Sequence, residues 1–366
     1  MRALYAIGLA TIQPMTDSIG NAFPRLAERM PKTSIANLPT PVKKYSFNLA
    51  SRPVEISVKH DNLTSEKYGG NKIRKLEYLF HRAAKRNAKR VATFGTVASN
   101  HALATAIFAT ELNFECTCFL SHQAKTSKAP VALNMHLRNH TDIVRYGGGR
   151  ANRVSTLRQH LRNRGTWVIP MGGSNWLGVM GFVNAGLELA EQVQSGLLAV
   201  PDRLYVANGT MATAAGLALG LALAEMPTEV HAIRVTHESI ANRDAMQRLI
   251  AKTATLMNRF DASIPADLAD RTRICFRDDF FAGGYARTNN ATDRAIEFAR
   301  DDLCLTLDTT YSGKAMAALL HDLEGPKLAE QSLLFWNTYN SHPLPVSADR
   351  PNNISHLPKE FLRYYD

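Results

Sequence analysis

Val91-Ala92-Thr93-Phe94-Gly95 is a short β-rich run, followed by Ser99-Asn100-His101 and a helix-length segment from His101 to Leu112. The pattern then repeats. Strand candidates are Cys116 to Ser121, Asp142 to Tyr146 and Trp167 to Pro170, with Val131 to Asn139 and Arg150 to Arg164 as the helices between them. A second series has strands near Leu204 to Ala207, Glu229 to Val235, Arg273 to Phe276 and Leu333 to Trp336, and its helices include Met211 to Ala224 and Ser239 to Asn258. Strands divided by helices of this length imply right-handed βαβ crossovers and mostly parallel sheets. Two such series predict a two-domain α/β fold, each domain an open, mostly parallel twisted sheet flanked by helices. A ligand cleft is expected between them, at the carboxyl ends of the strands.

Composition agrees with a globular chain. At 366 residues and 45% hydrophobic, the protein can bury a large core and fill two domains. No apolar run reaches bilayer length, and the longest, Ala214 to Ala224, reads as a buried helix, so no membrane partner is expected. Met1-Arg2 followed by the mostly apolar Ala3 to Ile12 is faintly signal-like but has no small-residue cleavage site. Residues 1–22 are therefore read as an N-terminal extension of unassigned purpose, with secretion the lesser reading. The net charge of +11 is scattered, and its densest run, Arg82 to Arg90, suits the cationic end of a helix. Aromatic residues are not interleaved with it as a base-stacking surface requires, which argues against a nucleic-acid partner. Cys116, Cys118, Cys275 and Cys304 form neither a disulfide framework nor a zinc quartet, so reduced thiols in a cytoplasmic protein and no metal are expected.

The stretch that speaks to chemistry is Tyr68-Gly69-Gly70-Asn71-Lys72-Ile73-Arg74-Lys75-Leu76-Glu77. Two glycines let the backbone approach a ligand, and the helix-like run after them offers free amides and a dipole suited to an anion. A lysine desolvated there among other cations can have its pKa lowered enough to bond an aldehyde. Taken alone, a solvated surface lysine explains the motif as well.

Other motifs change that balance. Phe23-Pro24-Arg25-Leu26, Leu38-Pro39-Thr40-Pro41-Val42, Lys59-His60-Asp61-Asn62-Leu63-Thr64, Ser99-Asn100-His101, Gly172-Gly173-Ser174-Asn175 and Tyr311-Ser312-Gly313-Lys314-Ala315 recur in one order as far as Asn337. In this the chain resembles the pyridoxal-phosphate enzymes of the 1-aminocyclopropane-1-carboxylate deaminase and D-cysteine desulfhydrase family, of fold type II. The resemblance implies a small domain of residues 75–180 inserted into a large one made of 23–74 and 181–366, and a homodimer. It also implies pyridoxal 5'-phosphate as cofactor and a small amino acid as substrate.

Site roles follow from the same resemblance. Lys72 would carry the cofactor and act as base, with Asn71 beside it, while Lys75 and Lys314 read as solvated or helix-flank cations. Ser99 would assist proton transfer and, with His101, hold the substrate carboxylate; Asn100 would meet the cofactor's phenolic oxygen. A helix N-cap explains Ser99 too. Asn208, Gly209, Thr210 and Thr213 would cradle the phosphate. Relatives commonly read Thr-Gly-Ser-Gly-Gly-Thr in that loop, so Met211 and Ala212 stand in place of glycines and are expected to keep negative φ. Tyr285 and Tyr311 would exchange protons with the leaving group. Gly173, Ser174 and Asn175 would lie near the substrate carboxylate, and a helix start explains them equally.

Three positions bear on specificity. Ser312 would face the pyridine nitrogen where ring-opening relatives have glutamate, which favours elimination of a β-substituent over ring opening. Thr338 would lie beside the ring, with Tyr339 and Asn340 in place of glycines narrowing the pocket. Ala98 replaces a usual glutamine. The expected activity is β-elimination from a small amino acid such as D-cysteine, giving pyruvate, ammonia and sulfide. A ring-opening deaminase, an amino-acid racemase using Lys72 and Ser99 on opposite faces, and a cofactor-binding protein without turnover are the alternatives.

Overall fold

Two sheets carry the architecture, and the computed structural model describes residues 17–49, 52–161, 165–325 and 331–366. The larger sheet has six strands in the order β1 (Val42–Leu49), β2 (Arg52–Lys59), β10 (Leu333–Trp336), β7 (Arg203–Asn208), β8 (Glu229–Arg234) and β9 (Ile274–Arg277). Only β1 and β2 pair antiparallel; the other pairings are parallel. The smaller sheet is wholly parallel, in the order β5 (Asp142–Arg145), β4 (Glu115–Ser121), β3 (Arg90–Thr96) and β6 (Thr166–Val168). The expected α/β alternation is present in both. Central strands such as β7 and β10 are apolar along most of their length because helices cover both faces.

Strands β1 and β2 are additional to those expected from the sequence. Their signal was an alternation, Tyr45, Phe47 and Leu49 in one strand and Val54, Ile56 and Val58 in the other, pairing in register as an edge hairpin. The helix expected from Arg150 to Arg164 is α6 (Arg150–His160), and residues 162–164 lie outside the described ones. Of the extension, residues 1–16 lie outside as well. Its end is α1 (Ser18–Ala22), where Ser18 bonds Glu191 at 2.5 Å and Ile19 N bonds Asn184 Oδ1 at 2.9 Å.

Both domain boundaries drawn from the sequence fall inside helices, α3 (Lys72–Lys85) and α7 (Trp176–Gln194), which belong to one continuous core spanning both sheets. Small residues let these helices meet closely. A Cβ on Gly181 of α7 would sit 2.2 Å from the Arg74 carbonyl oxygen of α3. Gly181→Ala is accordingly expected to push α3 away and cost about 1–3 kcal/mol in a urea-unfolding measurement. On the other side α7 packs on α8 (Ala212–Leu223), which is apolar all round because it is buried all round. Among the described residues no helix is long and apolar enough to cross a membrane.

Arg74, Asp61, Lys59 and Glu188 form a buried, paired charge network in this core. Arg74 bonds Asp61 at 2.8 Å and Glu188 at 2.8 Å, and Lys59 Nζ reaches Glu188 at 2.5 Å and Gln192 at 2.6 Å, all buried. Burial alone would raise the Glu188 carboxyl, yet the Arg74 and Lys59 cations hold it well below the usual carboxylate range. Cys116 and Cys118 are both buried and free, with Sγ atoms 3.8 Å apart on one face of β4.

Candidate active site

The carboxyl ends of the two sheets face a cavity of about 720 Å³, within the range of small-molecule sites. Thr96 at the end of β3, Ser121 at the end of β4 and Asn208 at the end of β7 all reach it, as do residues of the loops that follow. Of the expected site residues, Asn71, Lys72, Ser99, Asn100, His101, Asn208, Gly209, Thr210, Thr213, Tyr285, Tyr311 and Thr338 line one wall or another. They come from separate elements of both sheets.

Lys72 opens α3. Gly70, two residues earlier, has φ of 99° and would put a Cβ 2.7 Å from the Thr338 carbonyl oxygen, so glycine alone fits this close turn. Asn71 makes no side-chain cap. Its Oδ1 instead accepts from Lys72 Nζ at 2.7 Å, and its Nδ2 donates to Thr213 Oγ1 at 3.0 Å. The Lys72 ammonium lies 5.7 Å from the centre of the Tyr311 ring. Burial lowers its pKa to about 8, against the opposing pull of the Asp308 carboxylate. A lysine so placed is a usable nucleophile and base near neutral pH.

Two other lysines depart from expectation. Lys75 and Lys314 read as solvated cations, but both are buried. Lys75 lines the cavity, where Nζ donates to the Gly172 carbonyl at 3.3 Å, and burial together with Lys72 drives its pKa well down. Lys314 donates to the carbonyls of Phe281 and Gly284, and burial lowers it to about 8. The α3 and α11 (Ser312–Glu324) faces that carry them pack inward, which residue type alone does not reveal.

Ser99 is the N-cap of α4 (Asn100–Glu111), its Oγ accepting from Ala102 N at 3.3 Å. The hydroxyl proton is left free to donate into the cavity. Asn100 Oδ1 accepts from Tyr68 OH at 3.2 Å, so the amide Nδ2 is the end available as donor. Thr93 Oγ1 donates to Ile169 O at 3.1 Å, and therefore accepts from His101 Nε2 at 3.0 Å. Burial, with Lys72 and Lys75 nearby, keeps that imidazole neutral. Across the cavity the Tyr285 and Tyr311 hydroxyls lie 2.7 Å apart, and burial raises both phenols, Tyr311 well above its usual value.

The strand-to-helix turn after β7 fits an anion. The backbone N–H groups of Gly209, Thr210 and Met211 have no backbone acceptor among the described residues, and they precede the free first turn of α8. Asn208 is 1% exposed, lines the cavity, and neither of its amide atoms has a partner among the described residues. Such an orphaned amide calls for a ligand with polar groups. The residues present thus fit a phosphorylated aldehyde: Lys72 for the aldehyde, the 209–213 turn for the phosphate, Asn208 and Asn100 for ring substituents.

Met211 corrects another expectation. It was to keep negative φ, but it sits at φ 71°, ψ −28°, a left-handed conformation that glycine takes without strain. The non-glycine side chain bears the strain here. Met211→Val is expected to lose about 1–2 kcal/mol of unfolding free energy, since a β-branched residue tolerates positive φ least, whereas Met211→Gly should stay within about 1 kcal/mol of the parent.

Four expected residues do not reach the cavity wall. Ser312 is fully buried, its Oγ donating to Asp308 Oδ1 at 2.8 Å and accepting from Asp308 N at 2.9 Å. This closes the first turn of α11 and leaves the Asp308 carboxylate, not the serine, on the wall. Gly173 packs behind Lys75 and Leu79, Ser174 donates to Thr210 Oγ1 at 2.6 Å, and Asn175 caps α7. The helix-start reading describes Asn175. Residues that the sequence reading assigned no role, Thr96, Ser121 and Asp308, also line the site. Asp308 alone carried a signal, its position three residues before Tyr311.

Comparison with known proteins adds to this geometry. A family model described as "Pyridoxal-phosphate dependent enzyme" matches residues 33–338. D-cysteine desulfhydrase of Klebsiella pneumoniae is 30% identical over 322 residues, covering 85% of this chain and 94% of that protein. That of Yersinia enterocolitica is 31% identical over 319 residues, again covering 85% and 94%. Among solved structures, an "ACC deaminase homologue" superposes with a TM-score of 0.72 at 24% identity, over 89% of this chain and 95% of its own. Threonine deaminase isoform 2 from Solanum lycopersicum gives 0.58 at 15% identity, over 98% of both chains.

Proposed function

We propose, from the premise that this chain belongs to the pyridoxal-phosphate dependent enzyme family, that it is a β-elimination lyase whose substrate is a small amino acid, D-cysteine foremost. The observation that carries this reading is the convergence in one cavity of Lys72 Nζ, 5.7 Å from the centre of the Tyr311 ring, and the hydrogen-bonded phenols of Tyr285 and Tyr311. When bound, pyridoxal phosphate supplies an electron sink for charge developing at the substrate α-carbon.

The chain's own groups do the rest. Lys72 removes the α-proton, Ser99 donates a hydrogen bond from its free hydroxyl to the substrate carboxylate, and the hydrogen-bonded pair of Tyr285 and Tyr311 phenols gives one proton to the departing sulfur. The Cα–H bond breaks first, and the Cβ–S bond then breaks with its electron pair leaving on sulfur. Sulfide leaves with two protons, and water converts the remaining three-carbon fragment to pyruvate and ammonia. Asn100 would donate through Nδ2 to the ring's phenolic oxygen, Asn71, Asn208 and Thr338 would line the ring site, and Gly209, Thr210 and Thr213 would hold the phosphate. Ser312 and the Ser174–Thr210 bond support that site from behind. The same reading assigns residues 75–180 to a small lobe and 23–74 with 181–366 to a large one, in a cytoplasmic homodimer.

The test is direct. Purified protein supplied with pyridoxal phosphate is reduced with borohydride and digested, and the modified peptide is mapped; D-cysteine, L-cysteine, D-serine and the cyclopropane amino acid are then assayed for sulfide, pyruvate and 2-oxobutanoate. Modification at Lys72 with sulfide and pyruvate from D-cysteine is expected. Absence of both products from every substrate, or 2-oxobutanoate from the cyclopropane acid alone, overturns the reading. A monomer mass in sedimentation removes the dimer.

A further inference from the structure

The loop that delivers Tyr285 is unusual in its backbone. Between β9 and α10 (Asn290–Asp301), Ala282, Gly283 and Ala286 take φ of 55°, 70° and 57°. Two of the three are alanines, for which the left-handed conformation is unfavourable, so surrounding contacts must hold the loop in shape.

Those contacts converge on one amine. Lys314 is fully buried on the first turn of α11, and its Nζ donates to Phe281 O at 2.7 Å and Gly284 O at 3.0 Å. The ammonium also lies 5.4 Å from the centre of the Phe281 ring, which Arg234 approaches at 4.8 Å. The two carbonyls bracket the positive-φ pair Ala282-Gly283, and Tyr285 is the next residue along. Tyr311 stands three residues before Lys314, at the N-cap of the same helix. One amine therefore ties the loop bearing one phenol to the helix bearing the other.

We propose that Lys314 is a positioning residue that fixes the Tyr285 hydroxyl against that of Tyr311 by clamping the Phe281–Gly284 loop. Lys314 does not line the cavity and touches no substrate; it acts through the loop. A lysine serving only to fill the core would be replaceable by methionine without moving Tyr285. The kinetic half of the proposal rests on the lyase reading above, and the structural half does not.

The experiment has two arms, both on the holoenzyme. In hydrogen–deuterium exchange, Lys314→Met is expected to expose the amides of residues 282–287 while α11 keeps its protection, and Lys314→Gln, which can still donate, to give an intermediate result. In steady-state elimination from D-cysteine, Lys314→Met should lower kcat by about 10- to 100-fold with little change in KM. In a Tyr285→Phe background the same substitution should lower kcat by less than about twofold, because the phenol it positions is already gone. Unchanged exchange in the loop overturns the proposal, as do independent, multiplicative losses in the double variant. If the parent enzyme eliminates nothing, that counts against the lyase reading, and the exchange arm still decides Lys314.

Discussion

Lys72→Ala is expected to purify without the visible absorbance of attached cofactor, and to stay colourless after pyridoxal phosphate is added and excess removed. Elimination should fall by about 10,000-fold, the upper end of what a positioned base contributes. The expectation rests on geometry: Lys72 Nζ points into the cavity, is held by Asn71 Oδ1 at 2.7 Å, and is lowered to about 8 by burial. Lys75 is the neighbouring amine that could substitute for it, and it too lines the cavity. Its Nζ is turned to the Gly172 carbonyl and it is seated beside the Phe182 ring, 5.7 Å from its centre. Absorbance spectra and borohydride mapping of the variant read the result. Covalent cofactor on Lys75 in the Lys72→Ala protein would mean that the cavity does not distinguish the two amines.

Glu188→Ala is expected to destabilise the fold by about 3–5 kcal/mol, because it leaves the buried Arg74 and Lys59 cations short of their shared counter-charge. Urea unfolding at neutral pH measures it. The pH dependence has a defined sign. The folded-state carboxyl is held below the ordinary glutamate value of about 4.3, so its contribution is complete above that value and is lost as pH falls below it. The gap between parent and variant should therefore narrow in acid and be flat from mildly acidic to neutral pH. A function follows too: Arg74 lies two residues beyond Lys72 on α3, so loosening this network also loosens the helix that aims the reactive amine.

The two substitutions separate chemistry from scaffold. Lys72→Ala should remove the cofactor and leave unfolding nearly unchanged, whereas Glu188→Ala should weaken the fold while the protein that remains folded still carries cofactor on Lys72.

Much of the cavity wall was legible because its motifs are local. Gly-Gly-Asn-Lys, Ser-Asn-His and the turn after β7 each place their residues within one loop and the helix that follows, so each motif arrives at the site as a unit. Ser312 and Asn175 also sit in motifs, and their side chains bond within the turn they belong to. Met211 shows the converse case, where a loop keeps its left-handed turn although its residue type argues against it.

Periodicity and spacing are properties of neighbouring residues, and they were enough to determine the alternation of strand and helix, the parallel sheets and the lysine at the head of α3. Partners distant in the chain decided the rest. That Lys75 is stripped of solvent, that Asn100 is oriented by Tyr68, and that Lys314 turns inward to clamp a loop thirty residues upstream all depend on which surfaces the packed elements bring together. Desolvation and hydrogen-bond pairing act through space, so those assignments exist only once the two sheets and the helices between them have closed around the cavity.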